Sequence, residues 1–250
     1  MMNNQINIED IKENINKKGY HCIENFINQD NLEVLRKFVN QKLEENNYQY
    51  FFLTSESDSN NLLNDEKFFE GTESLLKNIT RSFNYKIREN EKLYKVLRVI
   101  SGEKSKKVSL DFHFDAHLLT LLIPIYIPNR EKSDNGNLII IKNLRILTKS
   151  LLKNIFQKIF FQSNFFKKFF IQKNIIKKEI LNLNPGNVYI FNGFRTLHAN
   201  MNIHPKDIRA TILVHYYDIF KSSFLVDLNR KMRIKKELKN INSNKNQKIN

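Results

Sequence analysis

Apolar residues along this chain follow two periods, and the change of period divides it. In the first third the spacing is helical. Residues 7–17 form a short amphipathic run stopped by Gly19, and residues 20–26 read as an early strand. Asn28 or Asp30 can cap a helix through about Glu45, in which Leu32, Leu35, Val39 and Leu43 share one buried face. Residues 48–54 are strand-like, residues 55–61 form a polar loop, and residues 66–84 are helical again. From residue 91 the period drops to two. KLYKVLRVI, VSLDFHFDAHLLT, LTLLIPIYIP and NLIIIKN are short apolar or β-branched runs, broken at Gly102, Pro128 and residues 134–136. EILNLN, a turn at Pro185 and Gly186, NVYIF and RATILVHYYD resume the pattern. A helical shell ahead of many short strands predicts an α+β protein whose later portion is a β-sandwich or barrel.

Between the two groups of strands lies a different segment, at about 147–178. Leu151, Leu152, Ile155, Phe156, Ile159 and Phe160 face away from Lys153 and Lys158, and Phe165, Phe166, Phe169 and Phe170 are set against Lys167 and Lys168. This predicts a pair of strongly amphipathic helices. The expected arrangement packs them on the sheet with their lysines in water. A lid over an apolar substrate, or a face resting on an anionic membrane surface, is the functional alternative. Residues 229–250 are a basic, Asn-rich tail. The organisation expected is therefore one domain over residues 1–228, followed by that tail. Within the domain, residues 1–90 are helical, residues 91–218 form a barrel, and the helical insertion interrupts the barrel.

The formal net charge of +15 over 250 residues raises a nucleic-acid partner as a question. The chain is rich in Lys, Asn, Ile and Phe, which A/T-rich codons specify, so coding bias accounts for much of the lysine excess. No nucleic-acid-reading motif accompanies the charge, which sets that partner aside. Basic surfaces also attract phosphate and anionic lipid. The single cysteine, Cys22, excludes an intrachain disulfide and fits a reducing compartment. The first residues have no apolar signal core, and no apolar run reaches the roughly 20 residues of a transmembrane segment. The expected setting is the cytoplasm.

Candidate chemistry enters at residues 108–120, VSLDFHFDAHLLT, read as one half-buried strand. On a strand Asp111, His113 and Asp115 share a face, so His113 and Asp115 project together as a nitrogen and a carboxylate ligand. One further histidine would complete the two-His-one-carboxylate set that holds non-haem Fe(II) and leaves positions open. The His-x-Asp tripeptide is weak alone, because six histidines make a chance match common. His21 lies in the helical third, His204 precedes a proline in a loop, and His215 sits in an apolar strand as a core residue. His198 differs, following the strand NPGNVYIF and the connector NGFRTL. Arg209 comes 11 residues later, opening the strand RATILVHYYD.

His113-x-Asp115, His198 after a Gly-x-x-x-x-Phe strand, and Arg209-x-Thr211 together resemble the iron(II)/2-oxoglutarate-dependent dioxygenases, within them the phytanoyl-CoA dioxygenase-like branch. The GYHCIENF segment ahead of a helix is similar to that branch's opening. The resemblance spans residues 17–45 loosely and 91–218 more firmly. It implies a double-stranded β-helix (a jelly-roll, cupin-like barrel) with N-terminal helices packed outside. It further implies Fe(II) held by His113, Asp115 and His198, with 2-oxoglutarate as cosubstrate bound by Arg209 through its distal carboxylate and assisted by Thr211, and O₂ as the oxidant. A guanidinium forks onto a carboxylate with two parallel hydrogen bonds and stays charged. Related halogenases carry a small residue in place of Asp115, so Asp115 argues for oxygenation. The sequence departs from the family at Asn187, where an acidic residue is common, and in the length of the insertion.

Thr120 and Tyr126 are further candidates for the cosubstrate pocket, His117 for a competing ligand or, preferably, a group that orients a ligand or water, and Asn143 and Arg145 for the substrate side or simply the end of a strand. The implied activity is hydroxylation of a small-molecule or lipid-like substrate, with 2-oxoglutarate decarboxylated to succinate. A reading of a different class is a non-catalytic barrel that binds a membrane surface or an apolar ligand through residues 147–178.

Overall fold

The structure, a computed structural model, describes residues 6–56, 62–103, 105–130, 134–148 and 150–220. The basic tail, 229–250, and most of the polar loop 55–61 lie outside the described residues. Three helices form early. α1 (Ile8–Lys18) starts where the Asn7 side chain accepts hydrogen bonds from the Glu9 and Asp10 backbone N–H groups, and stops where Gly19 turns left-handed at φ 90°. α2 (Gln29–Glu45) is capped by Asn28 and buries Leu32, Leu35, Val39 and Leu43, the four expected. The stretch expected to be helical at 66–84 holds a 3₁₀ turn, Glu66–Phe68, and then α3 (Thr72–Ser82), with a second 3₁₀ turn, Leu62–Asn64, just ahead of it.

The strands assemble into two antiparallel sheets. β1 (Tyr20–Ile23), β2 (Phe51–Thr54), β3 (Tyr94–Ile100), β4 (His117–Tyr126), β7 (Val188–Phe191) and β9 (Arg209–Asp218) make the larger, in the order β1-β7-β4-β9-β3-β2. β5 (Leu138–Ile141), β6 (Glu179–Leu181) and β8 (Leu197–Asn200) make the smaller, in the order β6-β5-β8. Side-chain alternation sorts these strands into layers. Ala210, Ile212, Val214 and Tyr216 of β9 join Leu119, Leu121 and Ile123 of β4 beneath α1, α2 and α3. A second cluster, with Leu122, Leu138, Ile140, Tyr189 and Phe191, draws on both sheets and is the interior between them. A third, on the far side of the smaller sheet, joins Ile139, Ile141, Leu197 and Ala199 to Phe112, Phe114, Phe166 and Ile171. Two antiparallel sheets facing each other, with helices outside, form the jelly-roll architecture expected.

Two expectations need correction. Residues 108–120 are not one strand. A short helical turn, α4 (Ser105–Val108), precedes them, and Leu110 at φ 55° breaks the extended run. The segment then hydrogen-bonds along β8 of the smaller sheet, with Leu110 N–H to Asn200 O at 2.9 Å, before β4 begins in the larger sheet at His117. One alternating sequence thus serves two sheets, and the chain crosses between them near residue 115. The insertion between β5 and β6 contains α5 (Leu151–Gln162), a short α6 (Asn164–Phe166) and a π-helical stretch, Lys167–Gln172. α6 is anchored through Phe166, but α5 does not bury its apolar stripe on the sheet. No residue of α5 is fully buried.

The N-terminal helices are tied to the smaller sheet where β5 ends. Asn143 donates its side-chain N–H to Asn16 O at 2.8 Å, at the C-terminal end of α1, and so acts as a cap instead of facing a substrate. A Cβ on Gly19 would lie 2.6 Å from Lys142 Cβ. Gly19→Ala combines a left-handed φ with that collision, so we expect it to lower stability by about 1–3 kcal/mol, as read from the urea midpoint. An unchanged midpoint would show that this junction yields freely.

Candidate metal centre

Backbone pairing brings His113 and His198 together before their side chains are considered. The two residues exchange both backbone hydrogen bonds, each at 3.0 Å. Directly opposed residues of an antiparallel pair point the same way, and the two imidazole centroids lie 4.5 Å apart. Asp115, two residues on, keeps the face of His113, and its N–H is held at 2.9 Å by Gly193 O. Asp115 Oδ1 is 3.9 Å from His113 Nε2 and 3.7 Å from His198 Nε2. One ligand atom from each residue lies within 4.8 Å of the other two, a separation that one ion can span.

The donor set fits a divalent metal. His113 Nδ1 is 2.8 Å from Asp111 O, and His198 Nδ1 is 3.0 Å from Thr196 O. A carbonyl only accepts, so each Nδ1 carries the proton and each Nε2 turns its lone pair toward Asp115. Two neutral imidazoles and one carboxylate on one side of an ion leave the remaining positions open, the pattern suited to Fe(II). Burial by itself would raise the Asp115 carboxyl, but the positive charge that His198, His215 and His113 carry when protonated, with the Thr120 hydroxyl, outweighs it. Together these hold the group well below the ordinary carboxylate range.

Around the ligands sit groups with clear orienting contacts. Thr120 Oγ1 donates a short hydrogen bond to Asp115 Oδ2, which leaves Oδ1 turned to the histidines. The structure places Thr120 opposite His215 on β9 and not opposite Arg209. His215, read from sequence as a core residue, is buried but also lies at the site, with Nδ1 3.8 Å from Asp115 Oδ2 and 3.1 Å from Thr120 Oγ1. His117 stacks on it at 5.1 Å, and Tyr94 stacks on both rings. Gly193 was missed in the sequence. A Cβ there would lie 2.4 Å from both Asp115 Oδ2 and Thr120 Oγ1, and the only hint was its place in the connector before His198.

Deeper in the interior, β9 carries Arg209 and Thr211 on the same face as His215. Arg209 donates through Nε to Gly136 O at 2.6 Å and through a terminal N–H to Thr211 Oγ1 at 3.2 Å. Arg98 is paired directly across from Thr211 and so shares this face, an assignment that needed the strand register. Arg209 is pushed down to about 9 by burial first and then by the Arg98 guanidinium, and no anion among the described residues counters it. Arg98 Nε is buried without a hydrogen-bond partner. Arg209 is buried, while Arg98 is half-buried with its guanidinium 5.8 Å from the Tyr50 ring, and the donors of such a pair suit a carboxylate or phosphate.

The remaining candidates lie elsewhere. Tyr126 packs on the helical side of the larger sheet, beneath the Arg36 guanidinium at 5.4 Å. Arg145 lies under α5 on the outer side of the smaller sheet, between the rings of Phe114 at 4.7 Å and Phe194 at 4.1 Å, and donates to Asn154 Oδ1. Burial pushes it down to about 10. Asn187, the departure from the expected acidic residue, accepts the Asn25 backbone N–H at 3.0 Å and joins the end of β1 to the turn before β7.

No family model matches the chain, and no curated protein matches it in sequence. Solved structures do share its fold. A prolyl-4-hydroxylase of Pseudomonas putida is similar over 84% of this chain and 98% of its own, with a TM-score of 0.54 and 8% identity. A prolyl hydroxylase from Trichoplax adhaerens, in complex with a hypoxia-inducible-factor peptide, is similar over 84% and 89%, with a TM-score of 0.52 and 15% identity. The epimerase SnoN, in complex with Fe3+, alpha-ketoglutarate and nogalamycin RO, is similar over 84% and 83%, with a TM-score of 0.52 and 10% identity. At these identities the likeness is one of fold, and the structural neighbours are iron/2-oxoglutarate-dependent oxygenases.

Two substitutions test the orienting contacts. Thr120→Val frees the Asp115 carboxylate to rotate, and Gly193→Ala displaces it. Each is expected to weaken Mn(II) or Fe(II) binding by about 10–100-fold in calorimetry, with the circular dichroism spectrum retained. Wild-type affinity in both variants would remove the orienting role.

Proposed function

We propose that this protein is an Fe(II)- and 2-oxoglutarate-dependent oxygenase that hydroxylates a small-molecule or lipid-like substrate. The observation that carries the reading is one interior, between the two sheets, lined by two receptors of opposite kind. His113, Asp115 and His198 converge as a cation site, and Arg209, with Thr211 and Arg98, forms an anion site on the strand that also bears His215. A bifunctional ligand with a chelating keto acid at one end and a carboxylate at the other matches that order. When bound, ferrous iron with 2-oxoglutarate and O₂ supplies oxidative decarboxylation to succinate and CO₂, coupled to oxidation of a substrate C–H bond. The residues of the chain position these partners. His113 and His198 present Nε2, the Asp111 and Thr196 carbonyls lock their tautomers, and Thr120 turns one oxygen of Asp115 toward the pair. Arg209 is held to Gly136 O and Thr211, so its remaining N–H donors are fixed for a carboxylate.

The substrate class follows less directly. The fold neighbours include enzymes that act on peptides and one that acts on a small natural product, so fold alone does not select a substrate. Asp115 at the carboxylate position favours hydroxylation over halogenation, as the sequence resemblance implies. The phytanoyl-CoA dioxygenase-like branch is favoured by the His113-x-Asp115, His198, Arg209-x-Thr211 spacing.

The test is 2-oxoglutarate turnover by the iron-loaded protein, read as succinate released. His113→Ala and Asp115→Ala are expected to reduce turnover at least about 100-fold through loss of metal. Arg209→Met is expected to raise the KM for 2-oxoglutarate at least about tenfold while metal affinity stays within error. Turnover that survives Asp115→Ala would end the assignment.

A further inference from the structure

Helix α5 turns its apolar stripe outward. Leu152, Ile155, Phe156 and Ile159 follow the i, i+3, i+4, i+7 spacing of one helical face, and all four are exposed, Leu152 by 78%, Phe156 by 72% and Ile159 by 68%. The inward side is half-buried and partly polar, with Leu151, Asn154, Gln157 and Phe161. From the helical pitch, Lys153 and Lys158 flank the exposed stripe on opposite sides, roughly 110° from its centre. Past Ser163 the apolar surface continues through exposed Phe165 and Phe169, whose rings stack at 5.8 Å, with Lys173 Nζ 4.9 Å from the Phe169 ring.

The charge of the segment is one-sided. Residues 135–178 contain nine lysines, one arginine and no aspartate or glutamate. Asp111 approaches Lys167 at 3.9 Å and Glu179 approaches Lys142 at 3.7 Å, both from outside the segment. An apolar surface of this extent on a folded chain marks an interaction site, and its rim fixes the sign of the partner.

We propose that this face docks on an anionic phospholipid bilayer, with α5 lying in the headgroup plane, its aliphatic and aromatic stripe among the acyl chains and its lysines against the phosphates. A second copy of the chain would set lysine rim against lysine rim across a two-fold axis. Nucleic acid matches the charge but offers nothing apolar to Leu152, Ile155 or Ile159. A bilayer supplies a negative layer and an apolar interior in the required order. The surface involves none of the metal-binding residues, which face the opposite side of the smaller sheet.

The full chain is sedimented with vesicles of phosphatidylcholine alone or with about one third phosphatidylserine. Binding to the anionic vesicles and not to the neutral ones, weakening as salt rises, is expected. The combined variant Leu152→Ser, Phe156→Ser, Ile159→Ser is expected to bind at least about tenfold more weakly. Lys153→Glu and Lys168→Glu are expected to weaken binding about fivefold each. All of these side chains are exposed, so thermal midpoint and Mn(II) affinity are expected to stay at wild-type values, which reports intact folding. The proposal is overturned by absence of binding to anionic vesicles, by equal binding to neutral ones, or by binding that the apolar variant leaves unchanged. It is also overturned if the stripe instead mediates dimerisation in sedimentation velocity, or if duplex DNA is bound and vesicles are not.

Discussion

The site depends on the pair of backbone hydrogen bonds between His113 and His198. These residues are far apart in the chain, and neither belongs to a long strand at the point of contact. Their mutual N–H to O bonds, at 3.0 Å each, fix relative height, spacing and facing direction at once. Asp115 inherits its direction from the same two-residue alternation and is secured by Gly193 O. The three ligands are therefore placed by main chain, with contacts from the imidazoles to backbone carbonyls setting only their rotation. A centre built in this way is preorganised, since little conformational freedom remains to be lost when an ion binds.

The interior between the sheets is polarised. His113 and His198 belong to the smaller sheet, while Arg209 and Arg98 stand on the facing strands β9 and β3 of the larger one, with no carboxylate among the described residues to answer them. A guanidinium enclosed without a counter-charge costs folding free energy. Arg209 is restrained by Gly136 and Thr211 instead of being neutralised. A guanidinium restrained but not neutralised is stabilised when an anion reaches it.

Much of this was legible in the sequence, because it rests on local rules. The stop at Gly19, a cap at Asn28 or Asp30 (the structure uses Asn28) and the buried face of α2 follow from propensity and period. His113, Asp115 and His198, which the structure brings together, were picked out through a family resemblance, since the His-x-Asp spacing alone is weak. What escaped reading needed three-dimensional pairing. The alternation across residues 108–120 looked continuous, yet a left-handed Leu110 and a crossing near residue 115 distribute it between two sheets. Arg98 gains its place only through its register with Thr211, and His215 only through the β4–β9 register that sets it opposite Thr120. The orientation of α5 escaped for a different reason. An amphipathic period shows that two faces differ, but not which one faces the protein.

Phe114 has a consequence beyond packing. It lies between the ligands His113 and Asp115 in the chain but projects to the outer side, where it meets Arg145, which in turn grips Asn154 of α5. The residues that hold the ion and those that hold the outer helix are thus neighbours on one short rope passing through the sheet. Any free energy linking them acts equally in both directions. A tug on the cover that loosens the ligands must be matched by an ion that steadies the cover.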